Sequence, residues 1–225
     1  MNPSSIPVIT IDGPSGCGKG TLSQSLAAHL KWHFLDSGSL YRVLALAAQQ
    51  QTIPPTDEVA LSQLARTLDV RFKESHLGDA PTIFLAKQDV SEQIRSEQCG
   101  NLASSISSLK AVREALIERQ RAFRRPPGLV TDGRDMGTII FPDAQLKIFL
   151  DATTEERAQR RFKQLQNKGL KAEYATIYAD LAKRDERDRT RTVAPLLPAQ
   201  DAVIIDTTHL GIGEVFDRIL ELIKV

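Results

Sequence analysis

No stretch narrows the architecture of this chain as far as Gly13-Pro14-Ser15-Gly16-Cys17-Gly18-Lys19-Gly20-Thr21. It fits the phosphate-loop spacing G-x-x-x-x-G-K, with Gly20 next to the lysine and the hydroxyl displaced to Thr21. An apolar run at residues 7–12 leads into the glycines, and a helical pattern of Leu22, Leu26 and Leu30 leads out of them. Glycines let successive backbone N–H groups point inward at a polyphosphate, and the helix behind adds the positive end of its dipole. Lys19 then reaches the β- and γ-phosphates as a point charge. A tight Gly/Pro turn would explain the glycines, but not a strand, loop, lysine and helix all coinciding. The pattern implies binding of a nucleoside triphosphate.

Composition excludes several other classes. The chain has 225 residues, 41% of them hydrophobic, enough for one large domain or a core with inserted pieces. With 29 basic and 28 acidic residues the net charge is +1, so no global field favours nucleic acid or anionic lipid. Cys17 and Cys99 fit no metal or disulfide framework and read as reduced thiols, Cys17 as a small space-filler. No signal-peptide pattern or membrane-length apolar run is visible, so a soluble, cytoplasmic protein is expected; a monomer is expected as well.

Five short apolar runs, at 8–11, 33–35, 129–131, 146–150 and 203–205, read as buried parallel strands. Acids follow them: Asp12, Asp36, Asp132, Asp151 and Asp206. Helical spacing appears between them at Leu61/Leu64/Leu68, Val112/Leu116, Phe162/Leu165, Tyr174/Ile177/Leu181 and Val215/Ile219/Ile223. This alternation predicts an α/β fold, a doubly wound five-stranded parallel sheet with ligands beyond the strands' carboxyl ends. Residues 68–89 break the alternation with β-like pieces at 69–72 and 82–86 around a turn at 75–81, a small β-rich insert. Pro54-Pro55 and Pro126-Pro127-Gly128 are loops rather than linkers.

Three arginine-bearing clusters suit phosphate recognition, because guanidinium forks neutralise phosphates bidentately. They are Asp36-Ser37-Gly38-Ser39-Leu40-Tyr41-Arg42, Asp132-Gly133-Arg134-Asp135-Met136-Gly137-Thr138, and residues 183–191 with Arg184, Arg187, Arg189 and Arg191. Such arginines also suit a mobile lid that excludes water. The last cluster reads equally well as a solvated helix face with i,i+4 pairs Arg184–Asp188 and Asp185–Arg189. The second could be an ordinary turn, though an Arg between two acids at a strand end favours function. His29, His33, His76 and His209 have no ligand spacing and read as packing or surface residues, and Trp32 reads as core. There is no nucleophile triad, guanine-recognition element or aromatic platform for single-stranded nucleic acid.

The motifs together resemble one family. Gly18-Lys19-Gly20-Thr21 is similar to the nucleoside monophosphate kinases, a branch of the P-loop proteins. The two strand-end motifs, with Asp89-Val90-Ser91, Ile94-Arg95, Val112-Arg113, Lys147–Ala152 and Arg184-Asp185…Asp188-Arg189, resemble the bacterial cytidylate (CMP/dCMP) kinases in order from Val8 to Thr207. The resemblance implies one P-loop kinase domain. Its core spans about 1–36, 109–152 and 193–225, its monophosphate-binding region with the β insert about 37–108, and its arginine-bearing helical lid about 153–192. It implies ATP on residues 13–21 (Gly13, Pro14, Ser15, Gly16, Cys17, Gly18, Lys19, Gly20, Thr21). The acceptor phosphate falls to Ser37, Arg42, Arg134 and Arg191, the cytosine edge to Ser104, Arg113 and Asp135, and the ribose to Arg184 and Asp188, with Tyr41 packed alongside. Lys19, Arg134, Arg184 and Arg191 are the implied catalytic cations.

Because the acceptor is a phosphate oxygen, ionised near neutral pH, no catalytic base is required. Catalysis is then positioning plus charge neutralisation. With the hydroxyl displaced to Thr21, no direct protein ligand for Mg²⁺ is expected. Phosphates and waters hold it, with Asp36 or Asp132 in support. Rival readings are a P-loop kinase for UMP, AMP or a shikimate-like acceptor, and a non-catalytic ATP-dependent sensor.

Overall fold

The computed structural model describes residues 5–73 and 81–223. Its central sheet is parallel, in the order β2 (His33–Asp36), β6 (Leu129–Gly133), β1 (Val8–Asp12), β7 (Leu146–Asp151), β8 (Val203–Asp206). These are the five apolar runs, each one or two residues longer at its carboxyl end. Register brings the terminal acids to one edge. Asp12 lies beside Gly133, Asp36 beside Asp132, and Asp151 beside Asp206.

Side chains alternate across a strand, so Val8 and Ile9 go to opposite faces. On one face α1 (Lys19–Leu30) and α8 (Ile212–Ile223) press Leu22, Leu26, Val215 and Ile219 against Ile9, Ile11, Val130 and Ile148. On the other, Leu40, Met136, Ile140 and Phe141 cover Val8, Leu35 and Leu129. Each such apolar side chain contributes roughly 1.5–3 kcal/mol by leaving water. That fixes the sheet, and the sheet fixes the loops at its carboxyl edge.

A second apolar cluster gathers α2 (Ser37–Gln50), α3 (Glu58–Thr67), α4 (Glu97–Ile106) and α5 (Lys110–Arg121) around Leu44, Leu61, Ile94, Ile106 and Leu116. The β insert joins it through Leu85. Strands β3 (Val70–Lys73), β4 (Thr82–Leu85) and β5 (Gln88–Asp89) form an antiparallel three-stranded sheet. The turn expected at 75–81 lies outside the described residues apart from Pro81, as does His76. Val112 and Leu116 place α5 in this cluster, so packing does not divide at residue 109. Finally α6 (Thr154–Asn167) and α7 (Tyr174–Thr190) share a small core of Ala158, Ile177 and Leu181. Among the described residues no helix is long and apolar enough to cross a membrane.

The start of the phosphate loop is held against β7. Gly13 has φ +147°, and a Cβ built there would lie 2.1 Å from the Leu150 carbonyl oxygen. Gly13→Ala therefore loses about 3 kcal/mol of stability in urea unfolding. A midpoint unchanged from the parent protein would contradict this packing.

Candidate active site

The loop between β1 and α1 turns through left-handed glycines, with φ of +85° at Gly16 and +93° at Gly18. Gly18 is the N-cap of α1 and supplies no side-chain hydrogen bond, and the first turn carries no acid. The first N–H groups of the helix thus keep their affinity for an anion. Lys19 folds back over the loop, its Nζ donating to the Pro14 carbonyl at 2.6 Å and lying 3.7 Å from Cys17 Sγ. Cys17 Sγ also donates to Pro14 O at 3.1 Å and fills the loop interior as expected. Burial, reinforced by the nearby Arg134 guanidinium, lowers the Lys19 pKa. Thr21 faces solvent on α1.

Three acids stand beside this loop, and each does something different. Asp36 is the N-cap of α2, accepting from Ser39 N at 3.1 Å and Ser39 Oγ at 2.6 Å. Asp12 accepts from the backbone N–H groups of Met136 (2.9 Å) and Gly137 (2.8 Å). It thereby fastens a single π-helical turn, Met136–Ile140, a feature frequent at functional sites. Burial raises the Asp12 pKa to about 6 despite those two donors. Asp132 has no such support. Its Oδ1 is buried without a partner, and burial together with Asp36 holds its pKa well above the usual carboxylate range.

The turn sends Arg134 and Asp135 to separate neighbours. Arg134 Nε donates to Asp188 Oδ2 at 2.8 Å and Nη1 to the Gly133 carbonyl at 3.2 Å. Asp135 is ion-paired with Arg113, whose Nη1 donates to the Ser107 carbonyl at 3.0 Å. The Arg113 guanidinium lies 5.8 Å from the centre of the Tyr41 ring, within cation–π range. Ser104 Oγ lies 3.5 Å from Asp188 Oδ1, and Arg191 Nη1 is 3.5 Å from Ser107 Oγ. Arg191 Nε is held by the Ala194 carbonyl at 2.6 Å, and its Nη2 is buried without a partner.

Arg184 is a buried charge compensated only in part, by Asp188 and Glu97. It is 8% exposed, its Nε has no partner, and burial next to Arg134 and Arg42 brings its pKa down to about 10. Asp188 answers part of this field. Burial pushes its pKa up, but Arg134, Arg191 and Arg184 outweigh that and leave it below the usual value. Arg42 Nη1 donates to Ile94 O at 2.6 Å and lies against Gly100, where an added Cβ would sit 2.8 Å from its Nη2. Ser37 is buried beside Gly133, whose Cβ would meet Ser37 Oγ at 2.5 Å. The structure thus groups Ser104 and Arg134 at Asp188 and pairs Arg113 with Asp135, while Arg42 lies within electrostatic reach of Arg184 and Ser37 against Gly133.

Residues 183–191 are a solvated face only in part: Lys183, Glu186, Arg189 and Thr190 are exposed, while Arg184, Asp185, Asp188 and Arg191 are buried. Asp188 pairs with Arg134 and Asp185 with Arg157, rather than with the i,i+4 neighbours on their own helix. Two hollows flank the cleft. One of about 480 Å³ lies beside the phosphate loop, between Gly18, Leu22, Arg160, Thr208, His209 and Ile212. The other, about 390 Å³, lies between α4 and α7 near Asn101, Ser105, Lys183 and Arg187. Sequence reading missed Arg157, Arg160 and the 207–212 turn. Thr153 with Glu156 three residues on does have the spacing of a helix start, and Thr153 Oγ1 accepts from Glu156 N at 3.3 Å. An arginine in the next position, where acids are favoured, was the available signal.

The acids give a pH signature. A raised folded-state pKa means that stability present at low pH is lost as pH rises, for Asp12 between about pH 4 and its value of about 6. Asp132 acts with the same sign. Asp132→Asn should raise the melting temperature of the ligand-free protein at pH 7.5 by about 2–4 °C, equivalent to roughly 1 kcal/mol, with no gain at pH 4. A lower melting temperature for the variant at both pH values would contradict the assignment.

The family model described as cytidylate kinase matches residues 9–225. A cytidylate kinase from Nitrosococcus oceani is 57% identical over 215 residues, 96% of this chain and 95% of that one. Those from Shewanella denitrificans and Proteus mirabilis are 53% and 54% identical over 218 and 219 residues, each covering 97% of this chain and 96% of the relative. This chain belongs to the cytidylate kinase family.

Proposed function

We propose that the protein transfers the γ-phosphate of ATP to CMP or dCMP, giving ADP and CDP or dCDP. The observation that carries this reading is the pairing of Arg113 with Asp135 beside Tyr41, within electrostatic reach of Arg191, with unpaired guanidinium donors on Arg184 and Arg191. Cytosine offers an amino donor next to ring N3 and O2 acceptors. A carboxylate facing the amine, with a guanidinium and the Ser104 hydroxyl facing the acceptors, matches that edge. UMP reverses the donor and leaves buried polar groups unpaired, which such a site rejects strongly.

In this reading the donor phosphates take the loop N–H groups and Lys19, replacing the Pro14 carbonyl that now accepts from Lys19. The acceptor phosphate takes Ser37, Arg42, Arg134 and Arg191, with the ribose at Arg184 and Asp188. The base of ATP enters the hollow beside Arg160 and His209. An acceptor oxygen attacks the γ-phosphorus in line, the bond to the bridging oxygen of ADP breaks, and no proton need be removed first. Lys19 and the arginines stabilise the charge spread over the transferring group.

Among the described residues no cluster could hold a metal by itself. The buried, unpartnered Asp132 Oδ1 nevertheless suits Mg²⁺ carried in with ATP, held by phosphates and waters. Bound there, the ion would supply charge neutralisation, and Asp132 would orient its waters. Asp36 is occupied as a cap and contributes only its charge. In this reading the protein is a monomeric, cytoplasmic enzyme of pyrimidine nucleotide metabolism.

The test is an ADP-release assay across CMP, dCMP, UMP, AMP and shikimate, repeated with Asp135→Ala. Cytidine nucleotides should lead by at least about 100-fold in kcat/KM. Asp135→Ala should raise KM for CMP far more than KM for ATP. Preference for another acceptor would refute the reading, and equal effects on both KM values would make Asp135 structural.

A further inference from the structure

Arg157 is a buried charge that neither nucleotide site uses. It stands in the first turn of α6, 1% exposed, among the largest fully buried side chains of the protein. A cation at that end of a helix opposes the macrodipole, and a buried guanidinium is costly unless its donors are satisfied. Here each nitrogen is engaged. Nε donates to Ala152 O at 3.0 Å, Nη1 to Ser15 O at 2.9 Å, and Nη2 to Thr154 Oγ1 at 2.8 Å and to the Asp185 carboxylate. Thr154 aside, which is on α6 itself, the acceptors belong to three separate parts of the fold: the turn after β7, the phosphate loop, and α7.

The loop is fitted to this side chain. A Cβ at Gly16 would lie 3.2 Å from Arg157 Cβ. On the other side, Asp185 is adjacent to Arg184 and three residues before Asp188, the partner of Arg134. Fixing Asp185 therefore fixes where the arginines of α7 stand relative to the loop. The apolar core of α7 is shared with α6 alone, so this polar junction is what ties the pair to the phosphate loop.

We propose that Arg157 is a positioning residue for phosphoryl transfer: through Ser15 and Asp185 it sets the spacing between the loop that holds the donor and the helix whose arginines meet the acceptor. The inference rests on the phosphotransfer reading above. With its donors occupied by protein oxygens, Arg157 does not touch either nucleotide. Lysine cannot replace it, because a single ammonium cannot span Ser15, Ala152 and Asp185 as a planar fork does. A misplacement of about 1 Å far from the reacting atoms costs about 100-fold in rate.

Arg157→Lys and Asp185→Asn test this. Asp185 Oδ1 has no partner, so the Asn variant removes charge without breaking a second hydrogen bond. For each, melting temperature, calorimetric affinity for CMP and for a non-hydrolysable ATP analogue, and kcat at saturating CMP and ATP are measured. The expected result is a folded protein with kcat down about 100-fold and each separate affinity changed less than about threefold. Unchanged kcat in either folded variant overturns the proposal, as does a rate restored by saturating ATP, which would make Arg157 a support for donor binding only. If neither variant folds, Arg157 is structural and the proposal fails. A parent protein inactive on every acceptor would instead overturn the phosphotransfer reading itself.

Discussion

Positive charge that the protein does not neutralise for itself is the constraint on which the site depends. Arg134 stands within electrostatic reach of both Lys19 and Arg184, and Arg134, Arg184 and Arg191 all act on Asp188. Lys19 rests on a carbonyl, and Arg184 and Arg191 each keep a buried nitrogen without a partner. Burial and mutual repulsion pull down the pKa values of Lys19, Arg184 and Arg191, yet at neutral pH an arginine brought to about 10 is still a cation. Such a cleft costs stability when empty and gains it when phosphates enter. Nearby carboxylates, Asp12 and Asp132 at Lys19, Asp188 and Glu97 at Arg184, and Asp188 and Asp135 at Arg191, answer part of the charge. Asp132 is itself disfavoured as an anion by its burial.

The three packing units show how that cost is carried. The sheet with α1 and α8 holds the phosphate loop and the acid-bearing strand ends. The α2–α5 cluster holds Tyr41, Ser104 and Arg113, the groups suited to a base and its sugar. The α6–α7 pair brings Arg184, Asp188 and Arg191 over the cleft. Polar junctions join the units where apolar contact is thin: Arg134–Asp188, Arg157–Asp185, and Arg161 Nε to Glu97 Oε1 at 2.8 Å between α6 and α4.

The central sheet was readable because strands covered on both faces are written as unbroken apolar runs, and each run here is a strand. The phosphate loop was readable because glycine, lysine and flanking elements are local. Two helices were not. In α2, Ser37-Gly38-Ser39 looks like a loop, but Asp36 caps it and Leu40, Val43, Leu44 and Ala47 are buried. In α4, serines dilute the pattern carried by Cys99, Ala103 and Ile106. Residues 183–191 stayed ambiguous because i,i+4 charge pairing and tertiary pairing place the same letters at the same spacing. Only the arrival of Arg134 and Arg157 from elsewhere decides between them. Arg157 itself reads as one more charge on a polar helix; its role lies wholly in contacts with distant segments.

The most direct measurement is a crystal structure with CMP and a non-hydrolysable ATP analogue bound together. The account predicts that Lys19 Nζ leaves the Pro14 carbonyl for the donor phosphates, and that the unpartnered nitrogens of Arg184 and Arg191 acquire nucleotide oxygens. Nucleotides seated elsewhere, with Lys19 still on Pro14 and those arginine nitrogens still bare, would contradict it.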